Sequence, residues 1–202
     1  MIRVALRVVG FELKGLTAIG LWALRRNQGV PRGATVVPYA KEQAFVLLLF
    51  GFAMAVETVV IDLLLVALDV PAWLRYGVLV ADLYGLLFVA VMAAGCATRP
   101  HVVTREELRV RYGIYFELRV PRELITAVRT RRVYDEGGMV TVKDDRLTVA
   151  VSSQTNVTVE LARPVTVVRP LGRRAEVRSI RFFADSPEIV AAALRAEEPT
   201  HS

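Results

Sequence analysis

Two apolar stretches dominate the chain: 43–69 (QAFVLLLFGFAMAVETVVIDLLLVALD) and 73–97 (WLRYGVLVADLYGLLFVAVMAAGCA). At about 1.5 Å of rise per residue, each is long enough to cross roughly 30 Å of bilayer hydrocarbon as a helix. They meet at Leu68-Asp69-Val70-Pro71-Ala72. A connector this short forces antiparallel neighbours, with Pro71 ending the first helix or opening the second. The expectation is a transmembrane hairpin over 43–98.

Charge follows the same division. Net charge is +6, with residues 1–42 carrying +5, 43–98 carrying −3 and 99–202 carrying +4. Basic segments beside an apolar hairpin mark the cytoplasmic side, where anionic lipid attracts them. Arg25, Arg26, Arg32 and Lys41 precede the hairpin, and Arg99 and Arg105 follow it. Both termini are therefore expected in the cytoplasm, with the protein in the plasma membrane and Trp73 and Tyr76 at the outer interface. Lysine occurs only at positions 14, 41 and 143 among 26 basic residues. With abundant Ala and Val, this reads as a GC-rich bacterial composition, so the arginines do not by themselves argue for nucleic acid. The opening residues, interrupted by Arg3, Arg7, Glu12 and Lys14, do not read as a cleavable signal.

Four ionisable residues interrupt the hairpin: Glu57, Asp62, Arg75 and Asp82. A charge at mid-membrane costs about 2.5–3.5 kcal/mol on insertion scales, so each calls for a reason. Folding at 70–71 brings Glu57 and Asp82 to similar depth, with Asp62 and Arg75 nearer the turn. One reading is a proton or cation site. The weightier one is association: acids hydrogen-bonding across helices or between copies, with Arg75 reaching for the surface. Two helices enclose no pathway, so transport would require an oligomer.

Residues 1–42 read as a basic amphipathic helix followed by a loop. Ile2, Ala5, Leu6, Val9, Leu13 and Leu16 recur at helical spacing and Arg3, Arg7 and Lys14 lie off that stripe. Such a helix lies in the membrane interface or packs on the cytoplasmic domain. Asn27 to Gly33 is a loop by its Gly and Pro content.

From residue 99 the texture turns to short β-rich runs separated by turn signals, among them Gly113, Gly137-Gly138 and Asp144-Asp145. Leu108-Arg109-Val110-Arg111-Tyr112 alternates as a half-buried antiparallel strand does. Asp185-Ser186-Pro187-Glu188 opens a closing helix, expected over 186–197, with Ile189, Val190, Ala193 and Leu194 on its apolar face. The fold class expected is an α+β membrane protein: amphipathic helix, two-helix hairpin, then an antiparallel β domain over 99–202 with a C-terminal helix.

TREELRVRYG over 104–113, VPRELITAV over 120–128 and IRFFADSPE over 180–188 together resemble bacterial membrane-anchored PH-like domains. There a Leu-x-Val-x-x-Gly hairpin precedes an apolar-Pro-x-x-x-Ile segment, and a last strand runs into a C-terminal helix. The resemblance covers 100–197, and within it 133–175 matches no pattern. It implies a partly open β-barrel or sandwich capped by a helix, preceded by membrane helices, and it transfers no catalytic residue.

Candidate chemistry is sparse. His101 and His201 have no ligand partners at metal spacing, the lone Cys96 reads as a small apolar filler, and no phosphate loop or nucleophile elbow occurs. No metal, cofactor or enzymatic activity is expected. Asn156-Val157-Thr158 reads as a strand start rather than a glycan acceptor. Arg129, Arg131, Arg132, Arg169, Arg173 and Arg174 form a candidate basic surface for anionic lipid or a partner, or else a solvated strand face. Aromatics are not interleaved with them as a nucleic-acid platform requires, so no nucleic-acid role is expected. Ser152, Ser153, Gln154, Thr155 and Asn156 form a candidate partner loop. The function expected is a membrane-anchored interaction domain binding a protein or anionic lipid, with the bilayer and a protein partner or second copy as its neighbours. The alternative is an oligomeric transport or channel accessory subunit working through the intramembrane carboxylates.

Overall fold

The computed structural model describes residues 15–170 and 172–195. Among these residues the fold is α+β: four α-helices, two of them long and apolar, with two largely antiparallel sheets. A helix, α1, occupies 15–23 of the described residues and is followed by β1 (Thr35–Val37). The long helices are α2 (Lys41–Ala67) and α3 (Ala72–Thr98). Among the described residues, nine strands and a closing helix, α4 (Pro187–Arg195), complete the order.

Each long helix has 27 residues, about 40 Å. Both are long and apolar enough to cross a membrane, and their large side chains (Phe45, Leu48, Phe52, Leu63 and Trp73 among them) are exposed. Burial of so little of so much apolar surface is the reverse of a soluble core helix. The turn between them is a Schellman closure: Val70 N–H donates to Leu65 and Asp69 N–H to Val66, with Asp69 at φ +50° in the left-handed region. Pro71 then starts α3, its carbonyl receiving the amides of Leu74 and Arg75.

The first sheet has the order β1-β2-β3-β4, with β2 (His101–Val103), β3 (Glu107–Tyr112) and β4 (Phe116–Pro121). The second has the order β5-β8-β9-β7-β6, from β5 (Ile125–Val133), β6 (Val140–Lys143), β7 (Arg146–Val149), β8 (Thr155–Val168) and β9 (Arg174–Phe182). Alternation along β3 and β4 sends Leu108, Val110, Tyr112, Phe116, Leu118 and Val120 inward. They meet Leu147, Val149, Val157, Val159, Ile180 and Phe182 of the second sheet, and α4 adds Val190 and Leu194. The sheets thus share one core, and no closed barrel forms among the described residues.

Three expectations need correction. Residues 35–37, assigned to an N-terminal helix-and-loop unit, are an edge strand of the β domain, pairing Thr35 with Val103 and Val37 with His101. Three residues are too short for periodicity to register. The β domain is not wholly antiparallel, because β7 runs parallel to β9, with Leu147 opposite Ile180. The β8–β9 hairpin inserts between β5 and the β6–β7 hairpin, and that insertion fixes the direction. Alternation reveals which face a strand buries but not which neighbour it takes. Finally, the described part of the N-terminal helix packs against α3, a neighbour the expectation did not name. Gly15 packs on Val91, and Ala23 shares a cleft with Ala97 and Thr98, so α1 runs beside the last turns of α3. Gly15 and Ala18, both buried, permit the close approach. The stripe over 2–13 and the tail from 196 lie outside the described residues.

Candidate functional site

Where the hairpin joins the β domain, buried side chains of β2 and β3 and of the segment before α2 are held by hydrogen bonds. Strands β1 and β2 pair with each other and bracket α2 and α3, so the long helices emerge from inside a sheet. Within that pair, the fully buried His101 of β2 stacks on Tyr39, with ring centroids 4.5 Å apart, and meets Phe182 edge-on. Its Nδ1 accepts the Arg111 amide at 3.0 Å and its Nε2–H donates to the Phe183 carbonyl at 2.9 Å. These bonds select the neutral Nε2–H tautomer. Burial lowers its pKa to about 4. Tyr39, whose pKa burial raises, accepts the Gly113 amide through its hydroxyl at 2.7 Å. Gly113, at φ +49°, turns β3 into β4 close against Cys96 at the end of α3. Tyr112, with its pKa raised by burial to about 12, donates to Gln43 in the first turn of α2.

On the outer face of the first sheet, alternation predicts exposed Arg109 and Arg111. Arg111 is instead buried, its side chain 2% exposed, because residues 28–29 cover it. Its guanidinium donates to the carbonyls of Gln28 and Gly29 and to Glu117. Glu117 also receives Arg99 at 2.7 Å and Arg119 at 2.9 Å. Burial pushes the Glu117 carboxyl up, but Arg119, Arg111 and Arg99 outweigh it and hold the pKa below the usual carboxylate range. This network ties the chain preceding the hairpin to the strands following it. The sequence signal was there only in retrospect: two arginines and a glutamate on facing strand positions, with nothing to show that a loop would roof them.

Within the hairpin, Arg75 and Asp62 form a two-pronged ion pair, Nε to Oδ1 at 2.7 Å and Nη2 to Oδ2 at 2.8 Å. Met54 meets Gly85 further toward the β domain. These two contacts bracket Glu57 and Asp82, which therefore share one level between them. Glu57 is exposed on the outside of the hairpin. Asp82 is half-buried, and its Oδ2 has no hydrogen-bond partner among the described residues.

The six basic candidates separate into two groups. Arg129, Arg131 and Arg132 lie on the edge strand β5, beside the start of β8. Arg132 is occupied there, pairing with Glu42 at 2.9 Å and with the Gln154 side chain at 2.8 Å. A cavity of about 410 Å³ beside them holds Lys41, Arg131 and Arg132, but also Glu42 and Asp185. Arg169, Arg173 and Arg174 instead belong to the far end of β8 and its turn into β9. There a cleft of about 350 Å³ is lined by Tyr112, Tyr115, Met139, Thr141, Arg169 and Arg173, with no carboxylate in its wall.

The candidate partner loop is mostly turned inward. Ser152 and Ser153 are exposed at a tight turn, both at positive φ. Gln154 is held by Arg132, and Thr155 donates to Glu136. The buried Asn156 amide exchanges two bonds with the backbone of Ala184, which makes it a structural pin in β8. Among the described residues no group of three His, Cys, Asp or Glu side chains is arranged to hold a metal ion. Compared with protein families, with curated proteins and with solved structures, the chain finds no match.

Proposed function

We propose that this protein is an integral membrane protein whose α2–α3 hairpin fixes a PH-like β domain at the cytoplasmic face of the plasma membrane. Both termini lie in the cytoplasm, and the domain works by contact rather than by catalysis. Its ligand is the anionic lipid surface or a protein partner. The observation that carries this reading is the bracketing of two bare, lipid-length helices by the paired strands β1 and β2. Leaving so much apolar surface in water would cost about 25 cal/mol for every Å², and a bilayer removes that cost. Two sheets sharing a core, with α4 packed at their edge, support the PH-like reading. The test is extraction of the full-length protein from native membranes. It should stay in the pellet through alkaline carbonate and leave only with detergent. Release by carbonate overturns the reading.

A second reading rests on Glu57 and Asp82. An exposed carboxylate and an unpartnered carboxylate oxygen at one level of the hairpin suit an oligomer in which neighbouring copies supply partners, either for association or for moving protons or cations. In proteoliposomes, Glu57→Gln and Asp82→Asn should abolish ion flux under this reading. If the wild type shows no flux, or the amides leave flux unchanged, it fails.

A further inference from the structure

We propose that the cleft between the β3–β4 turn, the start of β6 and the β8–β9 turn binds the phosphate of an anionic phospholipid belonging to the leaflet that α2 and α3 enter. This deepens the membrane-anchor reading and rests on it.

The position of the cleft comes first. Tyr112 and Tyr115 form one wall. Tyr112 bonds to Gln43 in the first turn of α2, and Gly113, between the two tyrosines, abuts Cys96 in the last turn of α3. Helices of about 40 Å exceed the roughly 30 Å hydrocarbon layer, so their terminal turns stand in the headgroup zone. A cleft beside those turns is at phosphate height.

The chemistry of the wall points to the same ligand. Arg169 and Arg173 approach from the β8–β9 turn, and the wall holds no acid to neutralise them. The Arg169 Nε is buried and has no hydrogen-bond partner among the described residues. A buried, unpaired guanidinium N–H is costly, and a phosphate oxygen is the acceptor it fits best. Thr141 and Tyr115 also line the cleft, and Met139, 52% exposed, suits the glycerol and upper acyl carbons. The larger cavity by β5 contrasts with this, since Glu42 and Asp185 already balance its cations. That comparison favours the arginines of the β8–β9 turn over those of β5. A phosphopeptide would need the cleft to open toward the cytosol, whereas its neighbours here are the membrane-entering turns.

The test uses the full chain in nanodiscs, after its detergent-only extraction has established the anchor. Nanodiscs of phosphatidylcholine alone are compared with nanodiscs that also contain phosphatidylglycerol. Hydrogen exchange is followed in peptides covering 138–141 and 169–173, and native mass spectrometry counts phosphatidylglycerol retained per protomer. Two arginines near an anionic surface should give roughly a 30-fold preference for the anionic lipid. Phosphatidylglycerol should slow exchange in both peptides, and Arg169→Gln with Arg173→Gln should abolish both the protection and the retained lipid. Arg129→Gln with Arg131→Gln removes the same charge and should preserve both. Equal protection in the two double variants, or equal loss in both, overturns the proposal. So does the same protection from inorganic phosphate in phosphatidylcholine nanodiscs, which would mean a free anion as the ligand. A protein that carbonate releases fails the anchor reading, while one that stays anchored but ignores phosphatidylglycerol fails this proposal alone.

Discussion

Acidification should loosen the junction between hairpin and β domain through His101. The imidazole is fully buried, with Nδ1 accepting from the Arg111 amide and Nε2–H donating to the Phe183 carbonyl. A second proton has only Nδ1 to occupy, and there it would face an N–H donor at 3.0 Å. Burial accordingly lowers the folded pKa to about 4, whereas an unfolded histidine titrates near 6.5. Above about pH 6.5 the ring is neutral in both states and its native bonds contribute fully. Between about 6.5 and 4 the unfolded chain takes up a proton that the folded one refuses, so stability falls as pH falls. Below about 4 both are protonated and the loss is complete. At about 1.4 kcal/mol per pH unit, the whole loss is roughly 3 kcal/mol. Equilibrium denaturant unfolding in non-ionic micelles, followed by circular dichroism from about pH 7.5 to about pH 4, measures it. His101→Gln can still accept from Arg111 and donate to Phe183, so it should cost about 1–2 kcal/mol at neutral pH. It should also flatten the acid slope relative to the wild type. Parallel slopes in the two proteins would refute the argument, because carboxylates elsewhere would then account for the whole acid effect.

Three further outcomes follow from the contacts. Arg75→Leu or Asp62→Leu should each reduce the thermal stability of the detergent-solubilised protein, and the double substitution should recover much of the loss, since a lone charge between the helices is worse than none. Asn156→Ala strands the amide and the carbonyl of Ala184 in a buried site and should cost about 2–4 kcal/mol in denaturant unfolding. Cys96, 2% exposed against the β3–β4 turn, should resist maleimide in native micelles and react rapidly in SDS; equal rates, read by intact mass, would mean that the β3–β4 turn does not seal the end of α3.

What could be read from the residues alone follows the length of the signal. The apolar runs are long and their turn is marked by Pro71, so the helices at Lys41–Ala67 and Ala72–Thr98 lie within two residues of the expected 43–69 and 73–97. Alternation in β3 likewise identified Leu108, Val110 and Tyr112 as inward. Features depending on distant neighbours were hidden. Arg111 occupies an outward position and is buried only because residues 28–29 return across it. Gln154, Thr155 and Asn156 look like an exposed polar loop, yet each is bonded within the domain, since a polar run is equally suited to pinning two backbones together. The six arginines could not be sorted by sequence. Their division depends on which of them already face an acid: Arg132 faces Glu42, while Arg169 and Arg173 share a cleft that holds none.

The pairing of Thr35 with Val103 also has a consequence in time. The edge of the first sheet is made before the hairpin and its mate after it, so nearly seventy residues must emerge before that ladder can close. If the hairpin is a membrane anchor, a chain whose helices failed to enter lipid would keep β1 and β2 apart, with His101 and Tyr39 open to water. On that reading, membrane insertion comes before completion of the domain's own core, and a mis-inserted copy would display its fault as an unfinished sheet edge to whatever machinery surveys newly made proteins.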